Sequence, residues 1–148
     1  MPKHILIATD GSILADKALV YALDLAKPLD AKVTVVTVSE TWSPLDIANK
    51  VQAGHMKAVS EFEERAAEEA AKILKHATGI AHDKGVIVAT HHIADALPAD
   101  GILEAAQKDA CDLIVMASHG RRGISKLVLG SQAHEVLSRS PVPVLICK

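Results

Sequence analysis

The chain has 148 residues, 49% of them apolar and 23% charged, with a formal net charge of -2. That suits one globular domain over 1–148 and excludes a disordered chain. The charge gives no general attraction to nucleic acid or to an anionic membrane, three aromatic residues are too few for a base-stacking platform, and no apolar run reaches the roughly 20 residues that span a bilayer.

The chain opens MPKHILIATDGS, whose apolar part is too short for a signal peptide and runs straight into a turn. A cytoplasmic protein with no membrane or nucleic-acid partner is expected. HILIAT (4–9) is the first of five β-rich runs. Behind it Ala15, Ala18, Leu19, Ala22, Leu23 and Ala26 form one stripe at helical spacing, with Ser12 placed to cap the helix. KVTVVTV (32–38) is the second strand. The long connection from Ser39 to Gly85 begins as a loop and turns helical from about Ile47, acidic residues leading and Lys72, Lys75 and His76 following, as the helix dipole favours. VIVAT (86–90) is the third strand, and a helix over 98–108 turns Ile102, Leu103, Ala105 and Ala106 inward. DLIVMA (112–117) is the fourth strand. A short helix from Ser131 to before Pro141, with Ala133, Val136 and Leu137 inward, leads to the last strand, VPVLIC (142–147).

Continuous apolar runs alternating with helices predict a doubly wound α/β fold: a five-stranded parallel sheet, order 3-2-1-4-5, flanked by four helices. Ligands of such sheets sit outside the carboxyl ends of the strands, where the strand order reverses. Two loops fall there. One is Ala8-Thr9-Asp10-Gly11-Ser12. The other is MASHGRRGISKLVLGSQ, Met116 to Gln132. Gly120, Gly123 and Gly130 allow close approach of a ligand to backbone. Ser131 and Gln132 open a helix whose free N–H groups favour an anion, and Arg121, Arg122 and Lys126 add positive charge. Neither GxxxxGK[ST] nor GxGxxG is present. Asp10 has three roles open to it: acceptor for a ribose hydroxyl, ligand of a phosphate-bound cation, or cap of the first helix.

Elsewhere the chemistry is sparse. His91 and His92 are neighbours on a strand, so they point to opposite faces and do not share a metal. His119 sits inside the glycine loop. Trp42 follows the second strand, where it either shelters a base or packs the loop. Cys111 and Cys147 have no metal-like spacing and read as buried thiols rather than a disulfide.

The segments ILIATDGS, DLIVMASHGRRGISKLVLGS and AHEVLSRSPVPVLICK, in that order, resemble the universal stress protein family, single-domain type, across essentially the whole chain. The resemblance implies a cytoplasmic ATP-binding stress-response module that forms a homodimer through its C-terminal strand and acts on an unidentified protein partner. It implies ATP (or AMP or ADP) carried with Mg2+ or Mn2+. The contacts fall on Ala8, Thr9, Asp10, Val38, Met116, Ala117, Gly120, Arg121, Gly130, Ser131 and Gln132, with Asp10 as the residue that meets the metal. A structural dimer module without nucleotide, or a slow ATPase, are the alternatives. One position departs from the family signature: Ala117 stands where a glycine begins the Gly-x-x-Gly pattern. If its methyl group crowds the ligand, Ala117→Gly tightens binding about tenfold, roughly 1.4 kcal/mol; if its φ is negative, the alanine is harmless.

Overall fold

The computed structural model describes residues 1–40, 44–121 and 128–148. The strands are β1 (His4–Ala8), β2 (Lys32–Val38), β3 (Val88–Ile93), β4 (Leu113–Ala117) and β5 (Val144–Cys147). All neighbours pair in parallel, in the order β3-β2-β1-β4-β5. The predicted order is therefore the observed one. The described residues form five helices: α1 (Ile13–Leu29), α2 (Pro44–Gln52), α3 (Met56–Asp83), α4 (Pro98–Lys108) and α5 (Ser131–Arg139); α1, α3, α4 and α5 flank the sheet, and α2 packs against α3. The extra helix comes from the second connection, which the sequence pattern reads as one helical stretch. It breaks after α2, where Gly54 takes φ +76 and its N–H meets Val51 O at 3.1 Å. His55 N reaches back to Lys50 O at 2.8 Å. This pair of bonds closing on a left-handed glycine is the Schellman stop.

The sheet has two apolar faces. On one, Ile5, Ile7, Val33, Val35, Val115 and Ala117 meet Ala18, Leu19, Ala22 and Leu23 of α1 and Ala77 and Ala81 of α3. On the other, Leu6, Ala8, Val36, Ile114 and Met116 meet Ala99, Ile102, Ala105 and Ala106 of α4 and Ala133 and Val136 of α5. Each fully buried aliphatic side chain contributes about 1.5–3 kcal/mol relative to exposure. Leu137, expected inward, is 48% exposed, because the short α5 presents only Ala133 and Val136 to the core.

β3 starts two positions later than expected, ends three later and takes in His91 and His92, since its pairing follows β2 out to Val38↔Ile93. It is an edge strand, and its residues 89–91 are exposed, so polar side chains are tolerated there. No helix among the described residues is long and apolar enough to cross a membrane. The sheet's direction switches between β1 and β4, so the loops after these two strands lie side by side.

Candidate functional site

The loop after β1 is built by short-range hydrogen bonds. Thr9 N extends the sheet by donating to Val36 O at 2.9 Å, and Gly11, at φ +77, donates to Thr9 Oγ1 at 3.1 Å. Ser12 Oγ accepts from Ala15 N at 3.2 Å, which makes Ser12 the cap of α1. Asp10 is thereby released from the capping role. Its Oδ1 accepts from Ser12 N at 3.0 Å, and its Oδ2 accepts from Arg121 N, in the β4 loop, at 2.7 Å. The carboxylate joins the two loops across the switch point.

The loop after β4 is closed at its base, where Gly130 N donates to Ser118 O at 2.9 Å. Both signature glycines mark close approaches. A Cβ built at Gly130 would stand 2.8 Å from Ser118 O, and one at Gly120 would stand 2.7 Å from Asp10 Oδ2. Gly130 is the N-cap residue of α5, and among the described residues no side chain caps the helix start. Its first N–H groups are left to an anion or to solvent. Ser131 is the exposed first residue of that helix.

Ala8, Val38 and Met116 converge on the α4/α5 face at the carboxyl ends of β1, β2 and β4. α4 comes in close behind Val38, with a Cβ built at Gly101 only 2.8 Å from Val38 Cγ2. The sequence signal for Gly101 is weak: a glycine inside a helix, about 1 kcal/mol worse than alanine, marks a position where something packs closely. Ala117 lies on the other face, in the cluster with α1 and α3, and it is not among the non-glycine residues with positive φ.

Two expected contacts are engaged elsewhere. Arg121 turns its guanidinium over Gly11 to Glu69 Oε1 of α3, at 3.1 Å, so only its backbone N–H addresses the crevice. Gln132 Oε1 accepts from Ala99 N, in α4, at 3.0 Å. Trp42, Arg122, Gly123 and Lys126 lie outside the described residues.

His91 and His92 do part to different partners, Asp109 Oδ2 at 3.0 Å and Ser39 Oγ at 2.8 Å. His119 Nδ1 hydrogen-bonds Ser118 Oγ at 3.0 Å. No three His, Cys, Asp or Glu side chains among the described residues are grouped to hold a metal ion. Both cysteines are free; burial, then Asp109 and Asp112, push the Cys111 thiol up to about 11. An open cleft of about 590 Å³ lies at the opposite, amino-terminal ends of β1 and β2, lined by His4, Lys27, Lys32 and Thr34 among others. It contains none of the candidate residues, and three of its polar groups are already paired: His4 and Thr34 with each other at 2.9 Å, and Lys27 with Lys84 O at 2.7 Å.

The fold and its paired loops define a doubly wound α/β protein whose switch point carries two loops joined through Asp10. The chain belongs to the Universal stress protein family, whose sequence profile matches residues 1–148. It is 35% identical to the universal stress protein YxiE of Bacillus subtilis, over the full length of both chains. The structure of the protein MJ0577 of Methanocaldococcus jannaschii matches with a TM-score of 0.81 at 26% identity, covering 99% of this chain and 95% of that one. A universal stress protein from Archaeoglobus fulgidus, solved in complex with dAMP, shares the fold with a TM-score of 0.72 at 23% identity, covering 97% of this chain and 96% of that one.

Proposed function

We propose that the crevice binds an adenine nucleotide, ATP or its di- or monophosphate, carried with Mg2+ or Mn2+. The protein then acts as a cytoplasmic, homodimeric stress-response module: bound nucleotide holds the 118–131 loop and with it a surface that a partner protein reads. The observation that carries this reading is the joining of the two loops through Asp10 beside the uncapped start of α5. Phosphates fit against the N–H groups of 131 and 132, drawn by the positive end of the helix dipole, while the Gly130 N–H stays on Ser118 O. The base fits against Ala8, Val38 and Met116, and the ribose lies near Thr9 and Asp10. A family neighbour solved with dAMP agrees with the reading, which rests on the residues themselves.

The Asp10 carboxylate fits a cation carried in by phosphate. Each oxygen takes one backbone N–H, which leaves acceptor capacity on both. Mg2+ is commonly held by one or two carboxylates together with phosphates and waters. When bound, the cation offsets phosphate charge; Asp10 orients it and holds the loops together. The same two backbone donors make Asp10 a poor general base, so at most slow hydrolysis is expected.

Titration calorimetry with MgATP and MgGTP tests the reading. The expected result is tighter binding of ATP, because backbone groups near Val38 read the adenine edge. Equal affinities, or no heat at about 1 mM ligand, a concentration that reveals even weak sites, would leave a dimer module without nucleotide.

A further inference from the structure

The start of α4 is poorly provided for by its own sequence. Its N-cap residue, Leu97, has no side-chain acceptor, and Pro98 follows with no N–H to donate. The next N–H belongs to Ala99, which is 2% exposed. Left alone it would be a buried orphan donor, which costs stability. Gln132, the second residue of α5, supplies the acceptor at 3.0 Å. The turn that opens the phosphate side of the crevice therefore also finishes α4.

α4 in turn backs the base side. Ala99 shares an apolar cluster with Ala8 and Met116, and Gly101 sits tightly behind Val38. Val38 is β-branched and stiff, so a shift of α4 passes to it with little relaxation. Beyond Val38, Ser39 N donates to Ile93 O at 2.8 Å, tying this end of β2 to β3.

We propose that Gln132 is a positioning residue of the crevice. Without touching the ligand, its amide oxygen locks the first turn of α4 to the first turn of α5 and so fixes the Val38 edge relative to the phosphate loop. Base discrimination, more than overall affinity, depends on it. The inference rests on the nucleotide reading, and its test separates the two.

Gln132→Leu removes the acceptor at similar length, and Gln132→Glu keeps one. The first readout is the preference for MgATP over MgGTP, in which any change in phosphate attraction cancels. The expected result is a preference that falls about fivefold in Gln132→Leu, the affinity equivalent of one lost helix cap, and returns in Gln132→Glu even where added negative charge weakens both nucleotides. Equal losses for both nucleotides in Gln132→Leu would make Gln132 a phosphate contact and overturn the proposal, as would an unchanged preference. The second readout needs no ligand. Amide hydrogen exchange in Gln132→Leu should quicken at Ala99 and also at Ser39, and should be slow again in Gln132→Glu. Faster exchange at Ala99 alone would show that nothing is passed to β2 and would sink the positioning role. A wild type that binds neither nucleotide defeats the proposed function, and exchange then decides the positioning role alone.

Discussion

At Gly120 an added methyl group would stand 2.7 Å from Asp10 Oδ2, and the adjacent Arg121 N–H bonds that same oxygen. The glycine is demanded by the carboxylate before any ligand is considered, as Gly130 is demanded by the Ser118 carbonyl. Ala117 is a different case. Side chains alternate along β4, so Met116 faces Ala8 and α4 while Ala117 faces α1. Its methyl group fills core on the side away from Ala8, Val38 and Met116. Ala117→Gly should therefore leave the MgATP dissociation constant within about twofold and cost about 0.5–1 kcal/mol in urea unfolding, the usual price of a glycine in a strand. A tenfold gain in affinity would show that the methyl group does crowd the ligand. Asp10, Gly120 and Gly130 were legible as members of the two loops that follow β1 and β4, but the contact that demands Gly120 is made with Asp10, far away in the chain, and only the fold shows it. Gln132 was legible as a residue at a helix start but not as a brace, since its partner lies 33 positions away and only the packing of α4 on α5 brings the two together.

Among the elements, helix faces were the most legible. The six apolar positions picked out in α1 are all buried, because a helix lying on a sheet must hide one stripe. Ends were harder. The Ala53-Gly54 break between α2 and α3 carries a local signal that the surrounding helical pattern obscures. β3 continues through two histidines because an edge strand is held by backbone pairing more than by burial. Strand junctions also carry charge. Asp112, just before β4, accepts from Lys3 N at 3.0 and 2.9 Å and from His4 N at 3.0 Å, while its own N–H donates to His4 O at 2.9 Å. The His4 and then the Lys3 N–H groups hold its carboxyl below the usual aspartate value. A depressed folded-state value stabilises the fold above the unfolded value of about 3.9, and that contribution is lost as pH falls through the folded one. The melting temperature should fall on acidification below about pH 4, and Asp112→Asn should fall less steeply there. Parallel curves for the two proteins would remove Asp112 from the acid response.

At the scale of the whole molecule, the parallel order 3-2-1-4-5 leaves β5 at an edge, with β4 on one side. Ile114 N donates to Pro143 O at 3.0 Å and Ser118 N to Cys147 O at 2.8 Å, so the odd-numbered residues of β5 turn their backbone groups toward β4. Val144 and Ile146 accordingly turn their N–H and C=O groups outward. Leu145 and Cys147 pack on the α1/α3 face and Val144 and Ile146 on the α4/α5 face, so the side chains are committed to the two layers and the free edge is backbone. Such an edge is a hazard unless it is covered, charged or paired. A second copy running antiparallel about a twofold axis would pair it and continue the sheet through both subunits. Proline removes an outward donor without touching the β4 ladder, and edge strands tolerate it where the N–H faces away from the sheet. Light scattering should therefore find a wild-type dimer, and monomers for Val144→Pro or Ile146→Pro with wild-type circular dichroism. Dimers from both variants would move the interface elsewhere, and a wild type that is monomeric at about 100 micromolar, where even a weak dimer is populated, would remove the homodimer altogether.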